Sequence, residues 1–495
     1  MHLDTRPHRE TLVNAALALG IVAVIVIGTV SFALLSLRRF TMSPQEYIVG
    51  GRGFGAVFLW VLLAGEIYTS FTFLGAAGWT YTFGAPAFYI MAYGTCGYIF
   101  YYFLFPWIWR LGKEHNLLTL PDLIQVRYNS RLLSTIVSII AVVALIPYIT
   151  LQLSALNTFL TVAGHGLIDP VIGACVAFVV IIAFVFVTGL RGTAWASIIK
   201  DALVIGALIF VGVAIPIQFF GSPATLFDQV LRAHPDHLVL GGLTAPKGTL
   251  WYVSTVLLTG LGFFSGPQSI AAIFSAKDEN VLRRNAMLLP IYQLIMLLVF
   301  FAGFSALLIV PGLKGTAADQ SFLAVVSRYY PTWVLGFVTG TGALCALVPS
   351  TALLLSSASV VAKNIAGDLF NIGTDERGRL RVTRLMVVVL GLGALVLWLF
   401  YRTQLVDLLL LTYNGISQFM PAYLFGAYWK RTTTIGVAAG IVTGITLALI
   451  LAASSIAPFG LNPGFVGLAA NIIVLVGVSL LSQPARGTLP EPAGN

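Results

Sequence analysis

Charge is scarce in this chain: Lys, Arg, Asp and Glu make up 9% of its 495 residues, where a soluble domain carries roughly 25%. With 58% of the residues hydrophobic, no aqueous fold can hide so much apolar surface. Cysteine is rarer still. Cys96, Cys175 and Cys345 each sit alone in an apolar run without C-x-x-C spacing, which argues against a disulfide framework or a zinc site and leaves them as packing residues. Phosphate-loop, zinc-protease and serine-hydrolase motifs are missing, so ATPase, protease and hydrolase readings have no support. Absent too are the alternating segments of about 10 residues that a transmembrane barrel needs.

What the chain has in abundance is apolar length. About 20 apolar residues cross a bilayer core, and thirteen candidate spans follow one another, at about 11–36, 54–83, 85–109, 132–162, 170–190, 194–219, 249–275, 285–311, 332–362, 382–401, 404–428, 433–454 and 462–482. The expected fold is an all-α polytopic membrane protein of about 13 transmembrane helices. The first run ends at Arg38 and Arg39 and reads as a retained helix, not a signal peptide. The net charge of +9 suggests a nucleic-acid partner, but Lys and Arg fall mostly in short loops. With the N-terminus outside, 20 of the 27 lie on the cytoplasmic side and seven on the other. That is the positive-inside pattern. It predicts an inner-membrane protein with its C-terminus cytoplasmic, and leaves nucleic acid no patch. His234 and His237, in an external loop, lack a third ligand and are assigned to solvent.

Two spans are interrupted by Gly, Pro and polar residues, a pointer to transporter sites built on broken helices. The second span reads Ala64-Gly65-Glu66-Ile67-Tyr68-Thr69-Ser70-Phe71-Thr72-Phe73-Leu74-Gly75, and the seventh contains Gly260-Leu261-Gly262-Phe263-Phe264-Ser265-Gly266-Pro267-Gln268. Lying five spans apart, they predict two inverted five-helix repeats. The expected divisions are 1–53 for the N-terminal tail, first helix and cytoplasmic loop, 54–220 for the first repeat, 221–248 for an external loop, 249–428 for the second repeat, 429–482 for two C-terminal helices, and 483–495 for a disordered tail. Glycines that only allow close helix packing are the plainer alternative.

An acid in the hydrocarbon is costly, so Glu66 is a candidate coupling residue, with a structural hydrogen bond as the rival role. Carbonyls of Ala64, Gly65, Ile67 and Tyr68 could ligate a small cation. The ninth span offers Leu347, Ser350 and Thr351 at i, i+3 and i+4 on one helix face, with Ser356 and Ser357 in reserve; back-bonding of the hydroxyls to their own helix is the other reading. Ser197 and Asp201, one turn apart, suit a cytoplasmic exit path. Beside them, Lys200 has two readings: an ammonium that replaces sodium and carries a proton, or a side chain that snorkels to the interface. Thr69, Phe71, Thr72, Phe73, Gln152, Phe263, Phe264, Ser265, Gln268, Tyr413, Asn414 and Ser417 are candidates for the solute wall and gates, or else interhelical glue.

These residues are ordered as in the sodium:solute symporter family, which the chain resembles from about Tyr47 to Ser482. Tyr47 to Arg52, Thr69 to Gly75, Leu118 to Leu123 with Arg127-Tyr128, and Gly189 to Trp195 carry the resemblance in the first half. Gly266-Pro267-Gln268 with Ala276-Lys277-Asp278, and Leu424 to Arg431 followed by Gly436, Gly440 and Gly444, carry it in the second. The resemblance implies a leucine-transporter-like core, alternating access driven by a cation gradient, and a sodium site between the first broken helix and span 9. Three departures bear on that site. Ser197 stands where the family commonly has an acid, Lys200 where it has Gln, and Val348 and Pro349 where ungapped counting puts two ligand hydroxyls.

The expectation is a cation-coupled importer, with the proton slightly favoured over sodium, of a small polar solute such as a monocarboxylate, another organic acid or an amino acid. No cofactor is expected beyond the coupling ion. Solute and lipid bilayer are the expected partners, and no oligomeric state is legible. A membrane sensor working with a separate signalling partner is the rival class; an enzyme would need a cluster of His, Asp or Glu near one interface.

Overall fold

A computed structural model of the protein describes residues 6–37 and 53–482. The segments Tyr47 to Arg52 and 483–495, to which the sequence assigned a family signature and a disordered tail, lie outside the described residues. The described chain is helical, with one parallel bridge between Phe54 and Ala276 in place of any sheet. Its helices are α1 (Arg6–Leu37), α2 (Ala56–Ile67), α3 (Ala76–Phe83), α4 (Tyr89–Glu114), α5 (Leu120–Tyr128), α6 (Arg131–Ala163) and α7 (Pro170–Ile209). They continue as α8 (Ile215–Phe220), α9 (Pro223–Ala233), α10 (Thr249–Gly262), α11 (Pro267–Ser275), α12 (Glu279–Gln293), α13 (Leu297–Ile309) and α14 (Ser321–Tyr329). The last six are α15 (Thr332–Val360), α16 (Glu376–Phe400), α17 (Leu405–Ile416), α18 (Met420–Tyr428), α19 (Thr434–Ala453) and α20 (Pro463–Leu481).

Nine helical segments among the described residues are long and apolar enough to cross a bilayer, and the bent pair α10–α11 makes a tenth. Burial sorts them. The apolar window of the α15 segment is 94% buried, against 22% for α1 and 33% for α19 and α20, so α15 is the axis and the others are rim. Rim side chains such as Val24 and Ile473, 72% and 71% exposed, face outward from the bundle as lipid-facing residues do. The protein is a multi-pass membrane protein.

Both interrupted runs are broken in space. After α2 the chain leaves the helix at Tyr68 (φ −92°, ψ 73°) and resumes through a wide π-helical turn, Phe71–Gly75, into α3. Between α10 and α11 the axis bends by 46° at Phe263 to Gly266, and Pro267 opens the new helix at a position where its missing N–H costs nothing. The two broken helices meet at one end, where Phe54 N–H donates to Ser275 O and Lys277 N–H to Phe54 O, each 3.0 Å.

The sequence placed a junction between spans at 190–194. The 40 residues of α7, about 60 Å if straight and twice a bilayer core, are two helices joined at a kink close to it, at Gly189 (φ 55°, ψ −173°), a backbone region open essentially to glycine alone.

Candidate cation and solute site

Ending α2 at Tyr68 frees the carbonyls of its last turn, and their partners differ. Ala64 O accepts from Tyr68 N–H at 3.1 Å, and Ile67 O from the Thr72 hydroxyl. Gly65 O and Tyr68 O accept instead from Lys200 Nζ, at 3.3 and 3.1 Å. Lys200, projecting from α7 below the kink, is fully buried, and its ammonium lies 3.0 Å from Asp201 Oδ1. The snorkelling reading of Lys200 is thereby corrected: two freed carbonyls and a buried carboxylate give its charge better partners than the interface would. A second acid also lies within a spanning helix, Asp201, which is 4% exposed. The side chain of Glu66 lies outside the described residues.

The ninth-span candidates are deeply buried in α15, but their hydroxyls turn inward. Ser350 donates to Ala346 O at 2.7 Å and Thr351 to Leu347 O at 3.4 Å, and neither has a hydrogen bond to α2 among the described residues. Cys345 of the same helix is fully buried. Ser197 donates to Thr193 O within α7 at 2.9 Å, and a Cβ added at Gly65 would meet its hydroxyl at 3.5 Å and Lys200 Nζ at 3.4 Å. Gly65, Tyr68, Ser197, Lys200 and Asp201 are thus brought together; Leu347, Ser350 and Thr351 are not joined to them by any hydrogen bond described.

The solute candidates fall into two groups. Around the first break, Ser70 donates to Gln152 Oε1, the buried Gln152 Nε2 is without a hydrogen-bond partner among the described residues, and the Thr69 hydroxyl accepts from Phe71 N–H at 3.2 Å. Phe73 packs edge-on to Phe322. Around the second, Phe263 and Tyr413 both pack on Tyr93, Phe264 on Tyr101, and Ser417 donates to Leu258 O at 3.0 Å. Ser265 donates to Leu261 O, while Gln268 Oε1 and Asn414 Oδ1 are buried without hydrogen-bond partners among the described residues. Gln418 is glue, bonded to Gly464 O and Asn471.

Two further polar centres escaped sequence reading. Asp122 of α5 accepts from Lys363 Nζ at 2.5 Å and from Asn364 Nδ2 at 2.8 Å, tying α5 to the end of the α15 segment. Asp319, in the loop before α14, is 4% exposed and accepts from Leu405 N–H at 2.9 Å. Only the Thr119-Leu120-Pro121-Asp122 capping pattern was readable beforehand. His234 and His237, assigned to solvent, are half-buried.

Residues 47–444 match the Sodium:solute symporter family. Over 97% of this chain and all of the relative, 36% of residues are identical to an uncharacterized symporter, YhjB, of Bacillus subtilis. A monocarboxylate transport permease protein of Rhizobium johnstonii is 29% identical over 89% of this chain and 91% of its own. The solved structure of a Na+-coupled sialic acid symporter in a substrate-bound outward-open state shares the fold, with TM-score 0.78 at 17% identity over 96% of this chain and 99% of that one. Family match, full-length relatives and shared fold agree with the broken-helix geometry: the chain belongs to the sodium:solute symporter family, whose members are transporters and not enzymes.

Proposed function

We propose that the protein is a proton-coupled symporter importing a small monocarboxylate-type solute by alternating access, with Lys200 as the coupling group. The observation that carries this reading is the Lys200 ammonium on the freed carbonyls of Gly65 and Tyr68. A sodium ion about 4 Å from that ammonium would be repelled by about 4 kcal/mol at an effective dielectric constant near 20. Lys200 therefore substitutes for sodium while charged. Loss of its proton, with Asp201 as neighbouring acceptor, releases both carbonyls and lets the break at Tyr68 change shape. Ser197 and Asp201 line the proton's way toward the cytoplasm, Glu66 is a further coupling group, and Gln152, whose amide donor is unpaired among the described residues, offers a hydrogen bond to a solute carboxylate. The named activity of the Rhizobium relative agrees with a monocarboxylate.

The same reading includes thirteen spans, α7 supplying two, in two inverted repeats over 54–220 and 249–428. The N-terminus lies outside and the C-terminus in the cytoplasm, in the cell inner membrane. Sodium is the second reading, favoured by a 25% identical sodium/proline symporter of Haemophilus influenzae. There, Ser350 and Thr351 turn from their own carbonyls to join the carbonyls of Ala64, Gly65, Ile67 and Tyr68.

Reconstituted alone in proteoliposomes, the protein is expected to accumulate labelled monocarboxylate under an imposed proton gradient, and Lys200→Ala to lose that response. Accumulation driven by sodium alone, abolished in Ser350→Ala and Thr351→Ala and retained in Lys200→Ala, would establish the second reading in its place. No accumulation under either gradient would return the bundle to the sensor class.

A further inference from the structure

Where the loop 221–248 meets the broken helices, aromatic rings surround one ammonium. Lys247 Nζ stands 3.9 Å from the ring centroid of Trp79, 4.1 Å from Phe83 and 5.5 Å from Trp251. An ammonium within about 6 Å of a ring face is attracted by its quadrupole, so three rings hold one charge. Trp79 and Phe83 belong to α3 and Trp251 to α10, the halves of the two broken helices that point away from Phe54 and Ala276. Tyr89 braces the box from behind, 5.7 Å from Trp79 and 5.4 Å from Trp251.

The lysine is delivered to the box by a shaped loop. Ala245 N–H donates to Gly242 O, Gly248 N–H to Ala245 O and Leu250 N–H to Leu243 O, and Lys247 itself is held at φ 55°. A long side chain seldom adopts that left-handed backbone unless its surroundings require it. Burial pulls the Lys247 amine below its ordinary value, and the Asp407 carboxylate of α17 works against that loss of charge. Ring faces with one carboxylate in reach make a surface for a cation that has an apolar skin, not for a hydrated metal ion.

We propose that the outer mouth carries an alkylammonium-binding site made by Trp79, Phe83 and Trp251, which Lys247 fills as a tethered ligand, latching α3 to α10. Small methylated ammonium ions arriving from outside compete with it and free the latch. The site depends neither on the coupling ion nor on the transported solute.

Titration calorimetry of the purified full-length protein in detergent, with tetramethylammonium chloride, tests this without any transport assay. Lys247→Gly, which keeps the positive φ at no steric cost, and Lys247→Ala are each expected to bind at least tenfold more tightly than the unaltered protein. Lys247→Arg, whose guanidinium can stay on the rings, is expected to bind as weakly as the unaltered protein. Adding Phe83→Leu to Lys247→Gly should lose the gained affinity. Gel filtration checks folding, and the glycine variant carries the test should the alanine variant not fold. Equal affinity in the unaltered protein and the glycine variant, or no binding to that variant, would overturn the proposal.

Discussion

Asp319 shows how much one loop carboxyl can be asked to do. Its Oδ2 accepts from Leu405 N–H, its Oδ1 has no hydrogen-bond partner among the described residues, and a Cβ at Gly78 would lie 2.5 Å from that oxygen and 2.6 Å from Asp319 Cα. The loop is thus pressed onto α3 with an unpaired acid beneath it. Burial pushes the carboxyl well above its ordinary value; the Leu405 N–H works against this and Asp407 adds to it. A raised acid favours the packed arrangement when protonated, so loop closure is strongest at low pH and weakens as pH rises through the raised value. With a cysteine at the buried position Ala318, the thiol-labelling rate relative to the same cysteine in an Asp319→Asn background should climb about tenfold from acid to neutral pH. A flat ratio would show that Asp319 does not govern the loop. Asp122 has the opposite sign. Burial tends to raise it, but Lys363, Asn364 and Leu118 N–H together hold it below the ordinary carboxylate range. Its contribution is present above that range and is lost as pH falls through the lowered value. Replacing it as Asp122→Asn, which strands Lys363 against a neutral amide, should cost about 2 kcal/mol of unfolding free energy, and an unaltered denaturation midpoint would remove it from the stability account.

Elements were legible in the sequence where composition alone decides them. An apolar run of bilayer length can be nothing but a spanning helix, and Gly with polar residues at mid-depth marked both breaks before any geometry was known. Gly189 was legible as well: in sequence a glycine near Arg191 reads as the end of a span, and in space the chain kinks there between two helices. Replacing it tests the assignment. Gly189→Ala must place a Cβ in a backbone region costing of order 1–3 kcal/mol, so the thermal midpoint should fall, and an unchanged midpoint would mean that α7 bends for another reason. The helices α5, α9 and α14 were hidden in segments taken as loops because each is too short to produce a span-length signal. Side chains were harder. Lys200 was legible only in part, because a lysine inside an apolar run can either take a sodium's place or snorkel to the interface, and only its burial on the freed carbonyls separates the two. Ser350 and Thr351 were not, since whether a hydroxyl bonds its own helix or a neighbour depends on a rotamer. The aromatic box and the Asp319 contact join segments far apart in the chain and leave no local pattern to read.

For the whole molecule, the alternating access proposed above requires the broken helices to part at one end while held at the other, so the ties at each end set the balance between states. At the far end the tie is Lys247 in its box. At the near end it is backbone: Phe54 paired with Ser275 and Lys277, reinforced by Trp109 Nε1, which donates to Ala276 O at 2.8 Å. That indole bond can be removed without touching the backbone, because Trp109→Phe keeps an aromatic ring on α4 and deletes the donor. A net hydrogen bond is worth about 0.5–1.5 kcal/mol, so the population open at this end should rise by about 2- to 12-fold. A cysteine replacing Ala272, 2% exposed on α11, would report the opening as faster labelling by an impermeant thiol reagent added from the near side. The exposed Cys175 would be replaced beforehand to silence the background. If labelling does not accelerate in Trp109→Phe, the Phe54 end is not a gate, and the two broken helices move as a unit from the end that Lys247 holds.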